Sequence, residues 1–98
     1  MKHSILILTL LLLGHSLGHA QQIISGTVTD GHHPIAGANV FVKGTTDGCL
    51  TDSLGHFSFS TLKADSVQLM VTCIGYDNAE RDWQKGHKPL AIRLHERT

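Results

Sequence analysis

Charge of either sign is scarce in this 98-residue sequence: eight Lys and Arg stand against eight Asp and Glu, a formal net charge of zero with histidine neutral. That balance excludes the basic field by which a protein holds DNA, other nucleic acid or an anionic membrane surface. Aromatic residues are few, with three Phe, one Tyr and one Trp, and there are only two Pro and two Cys. Two cysteines do not make a disulfide-dense scaffold. After Leu13 there is no long apolar run, so nothing later approaches the roughly 20 apolar residues of a membrane-spanning helix. There is no Gly-x-Ser-x-Gly elbow, no Gly-rich phosphate loop and no histidine or cysteine pair at a zinc interval. Nucleophilic catalysis, nucleotide chemistry and a resident metal therefore have no sequence support, and no cofactor is called for.

What is present begins with an export signal. Lys2 gives a positive start, Ile5 to Leu13 are apolar apart from Thr9, and Gly18-His19-Ala20 offers small residues for cleavage. These features predict a secretory signal peptide over residues 1–20, removed after Ala20. Residues 21–98 remain as one domain of about 78 residues, carrying seven basic and eight acidic side chains. A domain of that size keeps a modest stability margin.

The rest of the chain reads as short β-prone runs punctuated by Gly, Asp and Pro, with no sustained helical period. Strands are predicted over 24–29, 38–43, 49–51, 56–60, 67–74, 76–83 and 90–94. In the first, Ile24, Gly26 and Val28 alternate with Ser25, Thr27 and Thr29, and in the second Ala38, Val40 and Val42 share a face. The third and fourth are expected to form a hairpin closed by Asp52-Ser53-Leu54-Gly55, with Phe57 and Phe59 turned into the core. The fifth is apolar enough to be covered on both faces for part of its length. The sixth is polar, as suits an edge. Seven short strands at this spacing predict an all-β sandwich.

Cys49 and Cys73 face two readings. An exported chain lives where a disulfide persists, and closing a loop of about 25 residues would stabilise by about 3–4 kcal/mol. The other reading is a pair of small buried thiols. Of the eight histidines, the five after residue 20, His32, His33, His56, His87 and His95, suggest metal, but adjacent His32 and His33 point opposite ways in an extended chain. A calcium loop would need more oxygen ligands than Asp47 and Asp52 provide. If Tyr76 faces the core, Trp83, seven residues on, falls on the opposite face of a continuous strand. That makes Trp83 a candidate surface contact for a protein partner or a glycan ring.

Residues at these strands and turns carry a resemblance. Ile24-Ser25-Gly26-Thr27-Val28-Thr29-Asp30, Pro34-Ile35-Ala36-Gly37-Ala38-Asn39-Val40, Gly44-Thr45-Thr46, Thr51-Asp52, Gly55-His56-Phe57 and Ile74-Gly75-Tyr76 follow one another at matching intervals. In this the chain resembles the carboxypeptidase-regulatory-like domain, in the variant that precedes the plug of SusC-type TonB-dependent receptors. The resemblance implies a seven-stranded, transthyretin-like β-sandwich. It implies no catalysis, because the peptidase activity in the family's name belongs to a separate domain.

Three function classes follow. One is a non-catalytic exported module, periplasmic or associated with the outer membrane, that docks to protein as an accessory of nutrient uptake. Another is the N-terminal piece of a SusC-type receptor, and the third is a carbohydrate-binding module. A transmembrane barrel needs many strands of roughly ten residues each, so these 98 residues are expected to be a module rather than a transporter.

Overall fold

The computed structural model describes residues 21–62 and 65–97. The signal peptide expected over residues 1–20 lies outside the described residues. Seven strands follow in chain order: β1 (Gln21–Thr29), β2 (Asn39–Val42), β3 (Gly48–Leu50), β4 (His56–Leu62), β5 (Ser66–Thr72), β6 (Ala79–Gln84) and β7 (Leu90–Arg93). They form two sheets, one ordered β4-β1-β7 and the other β3-β2-β5-β6. Every neighbouring pair is antiparallel except β1 and β7, which run parallel.

Side-chain alternation explains how the two sheets meet. In β1 the buried positions are Ile24, Gly26 and Val28, and in β2 they are Val40 and Val42. These join Ile35, Ala38, Phe57, Leu69, Val71, Trp83, Ile92 and Leu94 in one core between the sheets. Phe59 packs against it, its ring 6.4 Å from that of Phe57, a separation at which aromatic pairs attract. Strand β5 buries one face only: Leu69 and Val71 are enclosed while Gln68 is exposed, so the expected double coverage is not found. β6 is an edge strand, and Glu80 and Asp82 turn their charges to solvent.

The expected hairpin of the third and fourth strands is not formed. β3 belongs to the four-stranded sheet and β4 to the three-stranded one, so 51–55 crosses between sheets instead of folding one edge back on itself. The hairpin is β2–β3, closed by a turn in which the Thr45 amide donates to the Val42 carbonyl at 3.0 Å. β3 is only three residues long, and the long-range bonds of Thr51 then carry the chain to the other layer.

Trp83 also requires a correction. It is 5% exposed and belongs to the core, so it is no surface platform for a protein or a sugar. The parity argument fails because the chain does not stay extended from Tyr76 to Trp83. Tyr76 makes an isolated bridge to Glu96, and β6 begins only at Ala79. Restarting the alternation there puts Ala79, Arg81 and Trp83 on the inner face, opposite Val71, Leu69 and Val67 of β5. Tyr76 packs against the same core, so both aromatics face inward.

Candidate functional site

Because β7 runs parallel to β1, the C-terminal ends of both strands lie at one pole of the sandwich, with the start of β2 and the ends of β3 and β5. Most turn residues that carry the resemblance gather at this pole. Its first layer is a turn after β1, in which the Asp30 carboxylate accepts the amides of His32 at 2.8 Å and His33 at 2.7 Å. Those two amides hold the Asp30 carboxyl below its ordinary pKa.

Segment 34–38 is tied to this layer and to Thr51. The Ile35 amide donates to the Val28 carbonyl at 2.9 Å. Thr51, 5% exposed, donates its hydroxyl to the Ile35 carbonyl at 2.6 Å and accepts the Ala38 amide at 2.9 Å. Its backbone adds two more bonds, from the Gly37 amide at 3.0 Å and to the Ala38 carbonyl at 2.9 Å. Thr51→Val keeps the shape but strands a buried donor and a buried acceptor, so it is expected to cost about 1–3 kcal/mol. Urea titration of the full chain checks this, with Thr51→Ser, which keeps the hydroxyl, recovering most of the loss.

The next turn, Asp52 to Gly55, closes through the Gly55 amide on the Asp52 carbonyl at 2.9 Å. The Asp52 carboxylate accepts the amides of His56 and Leu54, each at 2.9 Å, and these bonds lower its pKa. Gly55 has φ of 76°, and a Cβ there would stand 2.5 Å from the Val28 carbonyl oxygen. Only glycine meets both demands.

The last turn is Cys73-Ile74-Gly75-Tyr76. The Tyr76 amide donates to the Cys73 carbonyl at 3.1 Å and Gly75 has φ of 89°, the pattern of a type II turn with glycine at its third position. Segment 95–97 pairs alongside: the Asp77 amide donates to the His95 carbonyl and the Arg97 amide to the Gly75 carbonyl, both at 2.9 Å. Burial, with the nearby carboxylates of Asp30 and Glu96, pushes the Tyr76 hydroxyl pKa up. Ile74, at the tip, is 100% exposed. It borders a shallow groove lined by Gly37, Asn39, Cys73, Asn78 and Arg97.

Cys49 and Cys73 are both free thiols. Cys49 lies on β3, opposite Val40 of β2, and Cys73 follows β5 on the far side of β2. Two strand spacings and a two-residue offset in register put them about 12 Å apart, beyond the ~7 Å that a disulfide spans. Both thiols pack against the core. Dithiothreitol is expected to leave the melting temperature of the full chain unchanged, and a thiol assay after unfolding to count two free thiols. A bridge would instead show as a loss of about 3–4 kcal/mol on reduction.

His32, His33, His56 and His95 lie at this pole, and His32 and His95 border one groove with Asp30 and Glu96. His32 and His33 stand with ring centroids 6.5 Å apart at this pole, while His87 lies near the other, its Nδ1 within 2.6 Å of the Lys88 carbonyl oxygen. Among the described residues no group of three or more His, Cys, Asp or Glu side chains is placed to hold a metal ion. Asp47 and Asp52 flank opposite ends of β3, and Asp47 accepts the Thr61 hydroxyl at 2.7 Å. The carboxylates of Asp30 and Asp52 already hold backbone amides. The exposed large apolar side chains at this pole are Leu50, Leu54 and Ile74, of which Ile74 is the most exposed. Sequence reasoning did not single out Ile74, although Gly75 after it signals the turn that lifts it outward.

Comparison with known proteins adds to this geometry. The family model described as CarboxypepD_reg-like domain matches residues 24–98. The TonB-dependent receptor SusC of Bacteroides thetaiotaomicron is 46% identical over 63 residues, which cover 62% of this chain and 6% of the receptor. The TonB-dependent receptor P26 of Formosa agariphila is 40% identical over 62 residues, covering 63% of this chain and 6% of that one. The matched part is thus a small fraction of each receptor's length. Among solved structures, a chain of a type II cohesin–X-dockerin complex from Acetivibrio cellulolyticus superposes with a TM-score of 0.61 at 21% identity, over 76% of this chain and 58% of that chain. This last likeness concerns the β-sandwich fold alone.

Proposed function

The chain belongs to the carboxypeptidase-regulatory-like domain family, and from that premise we propose that it is a non-catalytic, exported β-sandwich module that docks to protein in TonB-dependent uptake at the outer membrane. The observation that carries the reading is the 46% identity to a TonB-dependent receptor over 63 residues. It is supported by what the matched residues do. Asp30, Thr51, Asp52 and Gly55 spend their polar groups on the backbone of one pole, which leaves a rigid surface. The N-terminal piece of such a receptor is a second reading, favoured by the same identity. Burial of Trp83 removes the observation on which a glycan platform rested.

A domain exchange tests the module. The 63-residue matched segment of the Bacteroides thetaiotaomicron receptor is deleted or replaced by the corresponding residues of this chain, and TonB-dependent uptake is measured at equal receptor abundance. The deletion is expected to lower uptake and the exchange to restore it. An exchanged receptor, present at normal abundance, that transports no better than the deletion would contradict the reading.

A further inference from the structure

We propose that Ile74 is the anchor of a docking site, and that its occupant is an apolar pocket on the part of a TonB-dependent receptor that lies outside the sandwich. The inference rests on the module reading above and goes beyond it by naming the surface and the chemistry of its partner.

Among the residues that carry the family resemblance, the large apolar ones are Ile24, Val28, Ile35, Val40, Phe57, Ile74 and Tyr76. All but Ile74 are buried in the core or packed against it. Ile74 is fully exposed, against 65% for Leu50 and 62% for Leu54 at the same pole. It is also held in place: the Cys73–Tyr76 bond closes its turn, and the Arg97 amide braces Gly75 from the neighbouring segment. An apolar side chain carried on a hydrogen-bonded turn costs little backbone freedom on burial, which suits an interface anchor. The groove beside it can admit the rim of a pocket that closes over the isoleucine.

The occupant follows from where the chain leaves the sandwich. Arg97 is hydrogen-bonded to Gly75, next to Ile74. The matched region amounts to 6% of each receptor, so most receptor polypeptide lies outside such a sandwich, and any that is joined after Arg97 starts beside this turn. A lipid surface suits the turn poorly. Its charged neighbours are of mixed sign, with Asp77 and Arg97 3.6 Å apart and Glu96 close by, and no basic ring surrounds the isoleucine.

The test is a binding titration of the full chain against the Bacteroides thetaiotaomicron receptor lacking its 63-residue matched segment. Ile74→Asp is compared with Ile74→Val and with Ile23→Asp, a control at an isoleucine 64% exposed on the three-stranded sheet. Removing one buried isoleucine contact is expected to weaken binding about tenfold to a hundredfold. Ile74→Val should stay near the parent, Ile23→Asp should bind unchanged, and all melting temperatures should agree. Binding of Ile74→Asp within twofold of the parent would overturn the proposal. So would a parent that binds phospholipid vesicles or a second copy of itself in place of the receptor. If the exchanged receptor transports while Ile74→Asp binds normally, the docking site falls and the module reading stands. If the exchange fails while only Ile74→Asp loses binding, the docking site stands and the uptake role falls.

Discussion

Trp83→Ala is expected to destabilise the domain by about 3–5 kcal/mol, the usual cost of deleting a large buried aromatic. For a domain of this size that is a large share of the whole stability. The expectation rests on burial: Trp83 is 5% exposed and sits inward at the register position of Val67 on the neighbouring strand. Urea denaturation followed by circular dichroism measures the loss as a lower midpoint at unchanged slope. Trp83 is the only tryptophan, so the parent's fluorescence supplies an independent check, with blue emission that moves red on unfolding. A surface tryptophan would show red emission in the folded state and a change within about 0.5 kcal/mol on substitution.

Gly26→Val is expected to prevent folding. Gly26 lies in the central strand of its sheet, between Phe57 of β4 and Leu90 of β7. A Cβ at this position would stand 2.2 Å from the Leu90 carbonyl oxygen and 2.8 Å from Phe57 Cζ. The phenyl ring can swing aside, but the carbonyl belongs to a strand held in register by its ladder. Even Gly26→Ala must push β7 away from β1, an overpacking cost of about 1–3 kcal/mol. Valine adds two methyl groups to the same space. Soluble expression and circular dichroism read the outcome. The exposed neighbour Ser58→Ala serves as control and should change stability by less than about 0.5 kcal/mol.

Gly26 also shows what the sequence made legible. Alternation around it, with Ile24 and Val28 on the same face, locates β1 and its buried side, because a half-buried strand writes its geometry into every second residue. The same signal locates β2, β4 and β7 to within a few residues. The inter-sheet crossing at 51–55 was not legible. The residues that decide it, Thr51 with Ile35 and Ala38, are 13 to 16 positions apart and meet only after folding. The inner face of Trp83 was missed for a related reason. Parity counts only along unbroken extended chain, and Asp77-Asn78, loop-forming residues by type, interrupt it just before β6. The state of Cys49 and Cys73 depends on strand order, in which β2 stands between them, and spacing along the chain does not encode order. At the candidate site, the glycine and aspartate turns were legible by residue type. Ile74 was not, because an apolar residue at the end of an apolar run reads as core until the turn that ejects it is seen.

The central claim is that this sandwich works as a docking module through the pole where its family residues gather. Hydrogen exchange of the full chain, measured alone and with the segment-deleted Bacteroides thetaiotaomicron receptor, tests it most directly. The account predicts slowed exchange on binding at residues 73–77 and 95–97, with the amides of β4 and β6 unchanged. Slowing confined to the opposite pole or to the β4 edge, or no change at receptor concentrations that saturate binding, would contradict it.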